Sequence, residues 1–79
     1  MQREGQGPTL DELIVSNPRV MGGRRVFRGT RVPVEVLFDN LADGLSVDEI
    51  LEEYGTLDRD DVVRVLQLTS IRLAHPRAA

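Results

Sequence analysis

The sequence predicts a small, mainly α domain: a three-helix bundle of the helix-turn-helix type, preceded by a short two-stranded β-ribbon. Three observations carry this. Apolar residues recur at helical spacing from residue 33 to residue 74. Each periodic stretch has its own start or stop signal. Two short β-prone runs, Leu13-Ile14-Val15 and Val26-Phe27, precede the helices, separated by the turn signals Asn17-Pro18 and Gly22-Gly23.

The strands are expected near residues 13–16 and 25–28. A two-stranded ribbon is unstable alone, so it must pack on the helices or pair with another chain. Helix one opens at Pro33, which fits the first helical position because its missing N–H would have no partner there. Val34, Leu37, Phe38 and Leu41 form its inward stripe, and Gly44 permits the left-handed stop. Helix two starts at Ser46, where Ser46-Val-Asp-Glu49 has the form of a capping box. Val47, Ile50, Leu51 and Tyr54 are its stripe, and Gly55 ends it. Helix three caps at Asp58, with Asp60 and Asp61 in its positively polarised first turn. Val62, Val65, Leu66, Thr69 and Leu73 are expected to face inward, and Pro76 to end the helix. The resulting plan is a polar N-terminal tail over residues 1–12, one domain over 13–74 and a C-terminal tail over 75–79.

Composition narrows the function. A chain of 79 residues makes one domain, and at this size the buried fraction is small, so oligomerisation is a common source of further burial. With no cysteine there is neither a disulfide nor a thiolate metal site. No apolar run reaches a membrane-spanning length, and residues 1–8 lack the apolar core of a signal peptide. The expectation is a soluble, cytoplasmic protein without cofactor or metal. Catalysis is not expected. His75, the sole histidine, sits beside Pro76 at a chain end. Asp58, Asp60 and Asp61 read as capping and dipole complement rather than a metal cluster, and Ser46 reads as a cap rather than a nucleophile. Glu49, Glu52 and Glu53 read as a solvated helix face.

The charge distribution is informative. The net charge is −3, and all ten basic residues are arginines. Residues 1–31 hold six arginines against three acids, whereas residues 32–79 hold four against ten. Arg19, Arg24, Arg25, Arg28 and Arg31 follow one another with no acid between them. Gly22 and Gly23 allow backbone N–H groups to converge on an anion, and the neighbouring guanidiniums supply forked donors for phosphate or carboxylate. The candidate anion- or partner-binding set is therefore Arg19, Gly22, Gly23, Arg24, Arg25, Arg28 and Arg31. The alternative is that Gly22-Gly23 is only a turn and the arginines pair with helix acids. On a helix-turn-helix, the third helix would present its N-terminal end to DNA. Only Arg59 and Arg64 offer positive charge there, and three aspartates oppose phosphate.

Two segments resemble a known family. Residues Ile14 to Val34, with the string Gly-Gly-x-x-x-x-Arg-Gly-Thr-Arg-x-Pro-Val from Gly22, look like the opening signature of the bacterial domain of unknown function 433. Gly44 to Tyr54 looks like its second signature. Arg25 departs from the pattern, which commonly has Pro there; the exchange adds a charge and a backbone donor. The resemblance implies a homeodomain-like helix-turn-helix fold. It also implies, for some members, a VapB-type antitoxin that inhibits a PIN-like ribonuclease toxin and binds operator DNA. Homodimerisation is expected, with Val36, Val63, Leu68 and Ile71 as apolar positions outside the main stripes. The competing reading is a protein-interaction or dimerisation module that does not bind DNA.

Overall fold

The computed structural model describes residues 7–75. It is mainly helical, with one two-stranded antiparallel sheet. The order is α1 (Leu10–Leu13), β1 (Ile14–Ser16), a 3-10 turn (Met21–Gly23), β2 (Arg25–Phe27), α2 (Val34–Ala42), α3 (Val47–Glu53) and α4 (Arg59–Ala74).

The ribbon pairs Ile14 with Phe27, Val15 with Val26 and Ser16 with Arg25. Opposed residues share a face, so Ile14 and Phe27 enter the core together while Val15 and Val26 turn the other way. The second edge of β2 is also used: the Phe27 N–H donates to the Val32 carbonyl at 3.0 Å, and Val26 bridges Pro33. This second pairing changes the expected role of Pro33. The residue is an extended N-cap with ψ of 145°, held by the bridge, and α2 begins one residue later.

The ends of α2 and α3 follow the sequence signals. Gly44, at φ 97°, sits just beyond α2. The Leu45 N–H reaches the Asn40 carbonyl and the Gly44 N–H the Leu41 carbonyl, the paired bonds of a Schellman stop. Ser46 Oγ accepts the Glu49 N–H at 3.1 Å, and Glu49 Oε1 accepts the Ser46 N–H at 2.8 Å. Asp58 accepts the Asp61 N–H at 3.0 Å and so caps α4. A second capping box lies where a tail was expected. Thr9 Oγ1 accepts the Glu12 N–H, and Glu12 returns a carboxylate to the Thr9 N–H at 2.8 Å. The helical turn α1 packs against α4 and carries Leu13 into the core, so residues 8–12 belong to the folded body.

The core joins the ribbon to the helices through Leu13, Ile14, Phe27, Leu37, Ile50, Leu57, Val62 and Val65. Two expected stripe residues lie outside it. Phe38 is 37% exposed and Leu73 is 75% exposed. The reason for Leu73 is length. At about 1.5 Å per residue α4 extends well past its shorter neighbours, and its last turn, with Ile71 and Leu73, clears the body. Of the other apolar positions set outside the stripes, Leu68 packs against the core. No helix among the described residues is long and apolar enough to cross a membrane.

Candidate functional site

The arginine segment is a stapled loop. The Asn17 side chain accepts the Arg19 N–H at 2.9 Å, and the Val20 N–H donates to the Asn17 carbonyl at 2.8 Å. Ser16 Oγ then donates to the Gly23 carbonyl at 2.6 Å, tying the start of the loop to its end. Met21, Gly22 and Gly23 all take positive φ, at 54°, 65° and 88°. Glycine does so freely, but Met21 carries a Cβ, and an L residue there costs of order 1 kcal/mol. Among the described residues, the N–H groups of Met21 and Gly22 have no acceptor and face solvent with this turn.

The Arg28-Gly-Thr-Arg31 string does two different jobs. Gly29, at φ 74°, and Thr30 build the turn that returns the chain to β2. The Thr30 N–H and hydroxyl both donate to the Phe27 carbonyl, and Thr30 Oγ1 accepts the Val32 N–H at 3.0 Å. Arg28 donates through Nε and a terminal nitrogen to both carboxylate oxygens of Asp61, each at 2.9 Å. This fork-to-fork contact ties the ribbon to the first turn of α4. The hydrogen bonds to Asp61 hold the Arg28 guanidinium above its ordinary pKa, against an opposing desolvation effect.

The five clustered arginines therefore divide. Arg24 pairs with Glu35 in the first turn of α2, and the same hydrogen bond holds the Glu35 carboxyl below the usual range. Arg28 is committed to Asp61. Among the described residues Arg19, Arg25 and Arg31 have no ion-pair partner, and all three are exposed. Of the five, two arginines pair with helix acids, and three have no ion pair among the described residues.

The DNA candidates are also engaged. Arg59 pairs with Asp48 of α3. Arg64 donates to the Pro8 carbonyl at 3.1 Å, and its guanidinium lies over Gly7. The three aspartates separate as well: Asp58 caps, Asp61 is buried against Arg28, and Asp60 alone is exposed with no such contact among the described residues. His75 is the exposed C-cap of α4.

A groove lies on the outer face of the ribbon, with a volume of about 630 Å³. Val15, Val20, Val26 and Val32 line it together with Thr30 and Arg31. Sequence periodicity did not reveal it, because it depends on the two loops folding over the same strand face. The signal present was the alternation of Val26 and Phe27, which puts one apolar residue on each side of the ribbon.

The family model described as "Protein of unknown function (DUF433)" matches residues 14–68, well over half of the chain. An uncharacterized protein of Sinorhizobium fredii, y4eO, is 41% identical over 51 residues. That match covers 65% of this chain and 23% of the relative, so the chain corresponds to about a quarter of the longer protein. No solved structure matches.

Proposed function

The chain belongs to the family of proteins of unknown function designated DUF433, and within it we propose that this member is a protein-binding regulator whose working surface is the arginine-bearing ribbon and loop. In the reading the resemblance implies, it is an antitoxin-type protein that binds and inhibits a PIN-like ribonuclease. The observation that carries the reading is the division of the arginines. Arg19, Arg25 and Arg31 are exposed without ion-pair partners among the described residues, on a strand and two flanking turns that internal hydrogen bonds hold in shape. A preorganised guanidinium loses less freedom on meeting a carboxylate, and the acidic, metal-binding site of such a nuclease offers carboxylates.

A protein partner is favoured over DNA. In a homeodomain-like reading α3 and α4 are the two helices of the DNA-binding motif, with α4 in the reading position. Its candidate contacts, Arg59 and Arg64, are engaged within the fold, and Asp58 and Asp60 lie exposed at its N-terminal end. Operator binding is thus the secondary activity, and a homodimer covering Ile71 and Leu73 would be the form that achieves it.

The test is inhibition of a PIN-like nuclease by this protein. The R19A/R25A/R31A variant, with its helical circular dichroism intact, is expected to lose inhibition. Inhibition equal to that of the unsubstituted protein would overturn the proposal.

A further inference from the structure

We infer that the groove on the outer face of the ribbon is a docking site for an extended segment of a partner protein, one that places an apolar side chain next to a carboxylate. This deepens the proposed function and rests on its premise that the partner is a protein. The lining is largely apolar: Val15 and Val26 are opposed across the ribbon, Val15 37% exposed and Val26 buried. The loop residues Val20 and Val32 add to this lining, so an apolar side chain entering the groove has four valines to meet. Pockets of this size and lining recognise ligands by apolar burial, with a few polar groups fixing orientation.

Charge selects the occupant. The lining contains Arg31 and no acid, in a chain with thirteen acidic residues. Arg19 precedes the lining residue Val20 in sequence without itself lining the groove, and neither arginine has an ion pair among the described residues. Among the described residues the Asn17 side-chain amide and the Thr56 hydroxyl, both on the lining, have no hydrogen-bond acceptor or donor claiming them beyond the Asn17 turn. A carboxylate beside Arg31 would find the forked donors of an unpaired guanidinium. A second copy is a poor occupant. Its described strands, Ile14–Ser16 and Arg25–Phe27, hold no acid, and the one extended acid next to a large apolar residue among the described residues, Asp58, is tied up as the α4 cap beside a buried Leu57.

The experiment is titration of the full-length, nitrogen-15-labelled protein with the hexapeptide acetyl-Val-Glu-Val-Asp-Leu-Glu-amide, followed by amide chemical shifts. The expected result is a saturable shift at Val15, Val20, Arg31 and Thr56. It should be weakened by about tenfold or more in R31E, a loss of at least about 1.4 kcal/mol. A matching peptide with Lys in place of each acid should leave the shifts unmoved. V15K and the milder V15T keep the proposal testable if one variant misfolds; both should weaken binding. Shifts centred elsewhere, no shift, or indifference to R31E would overturn it. So would equal shifts from octanoate alone, which would mark a small-molecule site, or groove shifts that grow with protein concentration without peptide, which would mark a second copy. The peptide titration uses no nuclease. Peptide binding without nuclease inhibition therefore rejects the named partner and keeps the groove, and inhibition insensitive to V15K but lost in R19A/R25A/R31A rejects the groove and keeps the regulator.

Discussion

At the scale of single residues, the arginines show how one side-chain type serves two ends. Arg28 and Asp61 form a bidentate pair with the carboxylate nearly buried, and removal of the charge from Asp61 leaves a guanidinium facing an acceptor of reduced strength. The pair of Arg24 and Glu35 is half exposed on both sides, where solvent and salt weaken such contacts. D61N should therefore lower the thermal midpoint more than E35Q, a ranking that calorimetry checks. Glu35 also gives a pH signature. Its pKa is depressed in the fold by the hydrogen bond from Arg24, so its contribution is present above the ordinary glutamate value of about 4.3 and is lost as pH falls through the lower folded value. E35Q should remove that part of the acid limb of the stability curve; an unchanged limb would show that the pair contributes nothing in solution. The clustering of the arginines was legible in the sequence. Their division was not, because the partners Glu35 and Asp61 lie 11 and 33 residues away and are brought in by the tertiary fold.

At the scale of elements, the stop of α2 and the starts of α3 and α4 were readable because each is a local hydrogen-bonding signal: Gly44, Ser46 with Glu49, and Asp58. The helical turn α1 carried an identical signal, Thr9-x-x-Glu12, within a polar stretch expected to be a tail. A single turn has too little apolar periodicity to register, yet its Leu13 is fully buried. Loss of either cap is expected to be felt: T9A and S46A should each cost about 1 kcal/mol in denaturant unfolding. If T9A costs nothing, α1 is not part of the cooperative unit. A core change sets the scale, and L37A, at a fully buried site on α2, should cost roughly 2–5 kcal/mol. The misread Pro33 has the same origin as the missed groove. Both depend on β2 having neighbours on its two sides, which residue spacing does not encode.

At the scale of the whole molecule, the fold is a small helical body that displays a cationic ribbon. Core packing occupies one face of the ribbon, through Ile14 and Phe27, and leaves the other face and its flanking loops available. The most direct measurement is calorimetric titration of a PIN-like nuclease, the proposed partner, with two variants of this protein side by side. The account predicts that R19A/R25A/R31A weakens binding by about a hundredfold or more, a loss of about 2.7 kcal/mol, while R59A/R64A binds like the unsubstituted protein. The reverse pattern, with binding lost on substitution of Arg59 and Arg64 and kept without the ribbon arginines, would contradict it.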